Sequence, residues 1–446
     1  MAIPLMHNLN LSIVYLPVVD LSAAPRNARK HSRKQLRKLG NVMRDLGCVV
    51  PILVDRSHRI IAGHGRAEAA KLIGLSELPA IYIEHLTPAQ VEALALAENR
   101  ISDEAGWSTE TLTLILQDLA TDLDFDLSTT AFDTGEIDLY LMDDDGAGDD
   151  DPPSAPPSRA TPAVSRPGDV WDIGSHRVIC GDAREAQTYA ALMGTETAQL
   201  SVSDPPYNVR IEGHVSGTGQ HAEFPMASGE MTVPEFTQFL RTTAARLVEH
   251  GADGSLHFIF MDFRHMRELL DAGEQLFSKL VNLCVWVKRN GGMGSLYRSQ
   301  HELVFVFKAG TAAHVNNVEL GKHGRNRTNV WHNAGANSFG RDRDAMLARH
   351  PTSKPVDLIA DAILDCSHRG DLILDAFLGS GTTLLAAERT GRRCRGIELD
   401  PYYVDMAVER AATLAGKPAV HLGTGLSFAA LAHARRNPGW GGTDGQ

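Results

Sequence analysis

The run Leu372-Ile-Leu-Asp375 and the turn after it, Ala376-Phe-Leu-Gly-Ser-Gly-Thr-Thr383, narrow the fold more than any other stretch of the chain. Apolar residues closed by an acid read as a short buried strand. Two glycines then allow a sharp turn, and Leu384 to Arg389 reads as a helix. About 20 residues further on, Cys394-Arg-Gly-Ile-Glu398 is a second strand ending in acid, at the spacing of a ribose-reading carboxylate. Strand signals recur at Leu200–Ser203, Ser255–Met261, Leu283–Lys288 and Leu303–Lys308. Helix signals fall between them, such as Thr232 with Glu235 in capping-box spacing and Pro355 opening a helix that Gly370 closes. The expected fold class is α/β, with a mainly parallel sheet covered on both sides.

The turn also limits the ligand. Gly379 and Gly381 let a small molecule approach the backbone. No lysine precedes Thr382, so this is not a phosphate-wrapping loop, and the third glycine of a dinucleotide turn is missing. Glu398 is placed to accept two hydrogen bonds from ribose hydroxyls. Together these features point to a nucleoside without a phosphate chain, and S-adenosylmethionine meets that description.

A second constellation is Asp204-Pro205-Pro206-Tyr207, just past the strand Leu200–Ser203. Two prolines remove two N–H donors and leave an extended row of bare carbonyls. A carboxylate and a carbonyl can accept both hydrogens of an amino group, while Tyr207 offers a flat face. The combination suits a planar heterocycle carrying an exocyclic amine.

Charge is unevenly spread. The net charge is −12. Residues 1–142 hold 13 Lys and Arg against 18 Asp and Glu, and 143–158 hold six Asp and no base. The remainder holds 30 against 31, which leaves room for local basic patches. Residues 143–167, rich in Asp, Pro, Gly, Ser and Ala, read as an acidic linker. No apolar run approaches the roughly 18 residues of a membrane span, and no secretory signal is evident at Met1. Cysteines 48, 180, 284, 366 and 394 form no close pairs, which argues against disulfides or a zinc site and suits the cytoplasm. No metal is expected.

Residues 1–142 read as a separate small α/β domain. A basic helix follows Ser32, a hairpin spans Pro51–Ala62, and Gly63-His64-Gly65-Arg66 opens a helix ending near Gly74. The strand "PILVD", then "RIIAGHGRAEAAKLIGLSELPAI", then "ALAENRIS" resemble the N-terminal domain of ParB-like partition proteins, a fold shared with sulfiredoxin. The resemblance implies a nucleotide-phosphate turn at Gly63–Arg66. ParB proteins carry paired arginines there where this chain has Arg66 alone, and sulfiredoxin's cysteine is absent. A tight turn in a DNA-docking or interaction module is the favoured reading, with phosphate binding by Gly63, His64, Gly65 and Arg66 as the alternative.

Residues 168–420 resemble a DNA amino-methyltransferase of the permuted beta class, of the N6-adenine/N4-cytosine family, on the motifs "SDPPYNV", "HPTSKPVDL", "LDAFLGSGTTLLAA" and "GIELDPYY". The resemblance implies a Rossmann-like S-adenosylmethionine-dependent methyltransferase. Asp204, Pro205, Pro206 and Tyr207 would be catalytic. Asp375, Phe377, Gly379, Gly381, Thr382 and Thr383 would cradle the methionine part of the cofactor. Glu398 would hold ribose, Asp182 the adenine amino group, and Lys354 with Pro355 would pack near the cofactor carboxylate. The target would be double-stranded DNA, at the N6 amino group of a flipped adenine, because Asp rather than Ser opens the motif. N4-cytosine methylation and a ParB-like regulator without catalysis are the alternatives. Methylation at cytosine carbon-5 needs a Pro-Cys nucleophile, which the chain lacks.

The insertion 314–349, with Lys322, Arg325, Arg327, Asn329 and Arg341, would read DNA. The stretch 211–231 would close over the base, and 421–446 would form a flexible tail. A homodimer is a candidate state. A restriction endonuclease partner is neither implied nor excluded.

Overall fold

In the computed structural model the described residues are 11–25, 29–104, 106–121, 125–141, 159, 161–209, 227, 229–288, 296–321, 325–332 and 354–436. The chain divides into two compact units, Met1–Met142 and Asp143–Gln446.

The first unit holds β1 (Ile13–Pro17), β2 (Ile52–Val54), β3 (Ile60–Ala62) and β4 (Glu77–Tyr82) in the order β1-β4-β2-β3. β2 and β3 form the expected antiparallel hairpin, and β2 runs parallel to β4. The helix Arg33–Asp45 starts where Ser32 Oγ accepts the Gln35 N–H at 3.1 Å. The helix His64–Ile73 lies between Gly63 and Gly74, both left-handed. A Cβ on Gly63 would fall 2.7 Å from Ile52 Cγ2, so both its φ of 95° and its packing demand glycine there. Leu16, Ile52, Val54, Ile60, Ala69, Leu78 and Ala80 form this unit's core. Helices Pro88–Glu104, Thr109–Thr121 and Thr134–Leu141 follow.

The second unit is built on a sheet ordered β11-β9-β10-β8-β7-β12-β13-β6-β5-β14. Its strands are β5 (Val170–Ile173), β6 (His176–Cys180), β7 (Ala198–Ser203), β8 (Gly251–Met261), β9 (Lys279–Val287), β10 (His301–Lys308), β11 (Val330–His332), β12 (Leu372–Asp375), β13 (Arg393–Glu398) and β14 (Val420–His421). The central five, β8-β7-β12-β13-β6, are parallel. β10 and β5 flank them antiparallel. Side chains alternate between the two faces as a strand's two-residue period requires. Ile373, Val202, Phe258 and Phe260 enter one core, shared with helices Val356–Cys366, Thr382–Arg389 and Pro401–Ala415. Leu372, Leu374, Ile259 and Met261 enter the other, shared with helices Ala186–Met193, Val233–Glu249 and Met266–Gly273.

From β7 the chain winds outward to β8, and from β12 it winds the other way to β13. The switch in direction falls between β7 and β12. In such sheets the crevice for a ligand opens there, beyond the carboxyl ends of the strands.

Two boundary expectations need correction. The tail is ordered as far as 436: β14 pairs antiparallel with β5, and the helix Phe428–Arg436 buries Leu431 and Ala432. Phe428 lies 5.1 Å from the Trp171 ring, and Arg435 Nη2 donates to Asp169 Oδ1 at 3.1 Å. This helix covers a buried tryptophan that would otherwise face water. The end of the linker is also fixed: the N–H groups of Val164 and Ser165 donate to the Asp405 carboxylate at 2.6 and 2.8 Å. All of 143–158 and all of 437–446 lie outside the described residues.

Candidate active site

Four acids stand at the carboxyl ends of adjacent parallel strands: Asp204 after β7, Asp375 closing β12, Glu398 closing β13 and Asp182 after β6. The strand-end acids read from the sequence are thus brought to one edge by the sheet order.

Asp375 holds the glycine turn. Its Oδ2 accepts from Thr383 Oγ1 at 2.6 Å and its Oδ1 from the Phe377 N–H at 2.9 Å. Burial pushes the Asp375 carboxyl up to about 7, against those two bonds. Glu398 closes the other side, with Oε2 accepting from the Gly379 N–H and Oε1 from the Asp400 N–H, each at 2.8 Å. Burial likewise raises Glu398 to about 7. The two glycines differ in purpose. Gly379 has φ 54° and open space where a Cβ would stand. Gly381 has φ 88°, and a Cβ there would fall 3.0 Å from the Ala407 Cα, so it serves close helix packing. Phe377 packs against Phe239 with ring centroids 5.9 Å apart. The Asp182 carboxylate is engaged by Arg184, which donates from Nη2 at 2.6 Å and from its N–H at 2.8 Å.

Lys354 joins the two halves of the site. Its carbonyl accepts from Thr382 Oγ1 at 3.4 Å, beside the glycine turn, and Pro355 caps the helix behind it. Its ammonium turns toward Asp204 instead of the glycine turn: Nζ is 2.5 Å from Asp204 Oδ2 and 3.1 Å from Glu302 Oε2. The side chain is 8% exposed, and Phe260, Tyr207 and Trp286 present ring faces to Nζ at 5.1, 5.8 and 5.9 Å. Tyr207 Oη donates to Asp204 Oδ1 at 2.6 Å and lies 3.3 Å from Glu302 Oε2. Lys288 closes an ion pair on the other oxygen of Glu302.

Two acids therefore share one ammonium, and only Glu302 has a second lysine. Burial alone would raise Glu302, but Lys354 and Lys288 outweigh it and hold its carboxyl at about 2. Burial and the neighbouring Glu302 push Asp204 above the usual carboxylate range, with Lys354 and Tyr207 opposing. Burial disfavours the Lys354 ammonium, yet the two acids outweigh it and raise its pKa well above that of an ordinary lysine.

Glu302, Lys288 and Asn208 were missed from the sequence. Glu302 is a single acid at the head of an apolar strand, and only the pairing of β10 with β8 and β9 brings it to this edge. Asn208 carried a readable signal, because an asparagine after a turn motif tolerates positive φ. Its φ is 55°, and its side chain receives the N–H groups of Gly229 and Met231 and donates to the Met231 carbonyl.

The expected DNA contacts fare differently. Arg325 is buried, and it and Arg327 form ion pairs with Asp361 and Asp365 of the helix Val356–Cys366. These two arginines fasten the segment 325–327 to that helix, so their charges are already paired. Asn329 donates to the Leu283 carbonyl at 3.2 Å, next to β11. Lys322, Arg341 and most of 211–231 lie outside the described residues.

In the first unit, His64 Nε2 accepts the Ala24 N–H at 3.2 Å, and the His31 ring lies against Gly65. Arg66 folds back under Gly63, with its Nε buried and without a hydrogen-bond partner. Among the described residues no cluster of His, Cys, Asp and Glu could hold a metal ion, and no helix is long and apolar enough to cross a membrane.

Three family models match successive parts of the chain. A DNA methylase model matches residues 198–409, a ParB N-terminal domain model residues 7–100, and a ParB-methyltransferase HTH domain model residues 110–167. The last spans the helices Thr109–Thr121 and Thr134–Leu141 and runs through the stretch read from sequence as linker. The type II methyltransferase M2.DpnII of Streptococcus pneumoniae is 29% identical over 50% of this chain and 85% of its own length. The ParB-like nuclease domain-containing protein YnaK of Escherichia coli is 40% identical over 18% of this chain and 92% of its own. A solved M1.HpyAVI–SAM complex is 20% identical, with a TM-score of 0.39 over 52% of this chain and 97% of that one. The chain thus carries an N6/N4-type DNA methylase domain at 198–409, preceded by a ParB N-terminal domain and a ParB-methyltransferase HTH domain.

Proposed function

We propose that the protein transfers a methyl group from S-adenosylmethionine to the N6 amino group of an adenine flipped out of duplex DNA, at a specific sequence. One observation carries the reading: Lys354 ties Asp204 to the glycine turn, its ammonium on the acid and its carbonyl on Thr382. Amino-group site and cofactor turn are therefore two sides of one crevice.

The residues fit the cofactor. Asp375 and Glu398, whose bonds above are to hydroxyl and backbone N–H groups and not to a cation, disfavour a phosphate chain beside them and favour a cationic ligand, and Gly379 leaves open space beside Glu398. Glu398 would take the ribose, while Asp375 acts indirectly by holding the turn through Thr383 and Phe377. When bound, the cofactor supplies an activated methyl on a sulfonium.

The chain's own task is positioning and electrostatics. An exocyclic amine is a weak nucleophile because its lone pair is delocalised into the ring. Asp204 and the Pro205 carbonyl would accept its two hydrogens and draw the nitrogen toward tetrahedral geometry. Tyr207 would stack on the base. The negative charge of Asp204 would oppose the positive charge that grows on the nitrogen, and a proton leaves afterward. A base paired within a helix cannot reach this edge, so it must be flipped out.

With Arg325 and Arg327 tied down, duplex contact falls to other groups. The exposed Phe263 with Arg264 stacked on it, and the exposed Tyr297, lie beyond β8 and before β10. The HTH-matched helices of the first unit supply a second DNA contact, and Gly63–Arg66 is a docking turn there. The opening Asp of the motif supports adenine over cytosine. Mass analysis of nucleosides from DNA incubated with protein and cofactor tests this: N6-methyladenine is expected, and N4-methylcytosine would shift the assignment to the alternative base.

A further inference from the structure

Both Asp204 oxygens already have donors: Lys354 on Oδ2 and Tyr207 on Oδ1. An acid paired with an ammonium at 2.5 Å has little net charge to offer a nitrogen that is becoming positive. A second seat for that ammonium exists 3.1 Å away at Glu302 Oε2. Glu302 is 15% exposed, on β10 beside the central strands, and its other oxygen is held by Lys288. The Lys354 ammonium can thus pass between two carboxylates with little movement, facing the rings of Phe260, Tyr207 and Trp286.

We infer that Glu302 is a positioning residue for methyl transfer: it draws the Lys354 ammonium away from Asp204 when the target amine arrives, so that Asp204 meets the amine with its charge uncovered. Lys288 keeps Glu302 ionised and in place for this. Lys354 has two functions. With the amine absent it neutralises a partly buried acid that would otherwise hold a proton more readily. With the amine present it moves onto Glu302, and the amine hydrogens take its place on Asp204. Two lysines and two acids balance, so the cluster gains a charge only when the amino nitrogen does. This inference rests on the proposed amino-methyl transfer and adds a residue that none of the catalytic motifs contains.

The test uses the full chain, labelled S-adenosylmethionine and duplex DNA. Glu302→Gln keeps the shape and removes the second seat. Single-turnover methyl transfer should fall about tenfold or more, with cofactor affinity unchanged. The groups that face Asp204 are Lys354, Tyr207, Glu302 and, one strand away, Asp375; Lys288 acts through Glu302. Glu302 raises Asp204, so its loss moves the acidic limb of the rate profile to lower pH even as the plateau drops. A merely structural defect would lower the plateau without that shift. Glu302→Asp, which restores charge on a shorter stem, should recover part of the rate. In a Lys354→Met background the Glu302→Gln loss should shrink to less than threefold, because no ammonium remains to be drawn off.

Wild-type rates in Glu302→Gln, or losses that multiply independently in the double variant, would overturn the inference. Transfer by the wild-type chain is the control. Its absence sinks the proposed function and this inference with it, whereas wild-type transfer with an indifferent Glu302→Gln sinks the inference alone.

Discussion

Glu398 and Asp375 are each lifted to about 7 by burial, and this has a definite sign. A carboxyl whose folded pKa lies above its unfolded value binds more protons when folded. Its contribution is fully present below the unfolded pKa, near 4, and is lost as pH rises through about 7. The ligand-free protein should therefore lose stability between about pH 4 and 7, followed by its melting temperature. A cationic cofactor favours the ionised acids, so its affinity should strengthen as pH climbs from 6 to 8. Glu398→Gln should flatten that dependence in calorimetric titrations; an unchanged slope would place the ligand elsewhere. Both acids were legible in the sequence because each closes an apolar run at a fixed distance from a glycine turn. Glu302 was not, because its neighbours along the chain are a histidine and a leucine and its partners are 14 and 52 residues away.

Elements differ in the same way. Strand–turn–helix units such as β12 with Thr382–Arg389, and the hairpin of β2 and β3, declare themselves through local turn chemistry. Segments whose order depends on a distant partner do not. The sequence 325–332 reads as a basic loop, yet Arg325 and Arg327 are consumed by Asp361 and Asp365, about 36 residues on. Removing one partner there leaves a buried charge uncompensated, which costs about 3–5 kcal/mol. Asp365→Ala should destabilise the second unit by that order in denaturant titration, while an exposed arginine awaiting DNA would predict almost none. The helix Phe428–Arg436 was read as a tail because its alanines make a weak apolar stripe. Leu431 is nonetheless buried, and Leu431→Ala should cost about 2–4 kcal/mol by the same measurement.

At the scale of the whole molecule, the broad plan was visible in composition and motif order. The acidic run at 143–158 separates a small α/β unit from one built on a long parallel sheet, and the contact boundary falls at Met142. The sheet order was not visible, since a list of strands does not say which become neighbours. That order makes Asp204 and Glu398 parts of one edge although they stand 194 positions apart. Two units with separate cores should also separate functionally. A chain beginning at Arg159 should bind the cofactor as the full chain does and bind duplex DNA about tenfold more weakly. Equal DNA affinity in a salt-matched assay would deny the first unit its DNA-docking role.

The claim beneath all of this is that Asp204 acts on an amine beside a cofactor it does not itself hold. Methyl transfer and cofactor affinity measured together in Asp204→Ala test that claim most directly. Transfer should fall by roughly 10²-fold or more, the scale of losing one preorganised group at the reacting centre, with cofactor affinity within about twofold of wild type. Undiminished transfer, or loss of cofactor binding and transfer in step, would contradict it.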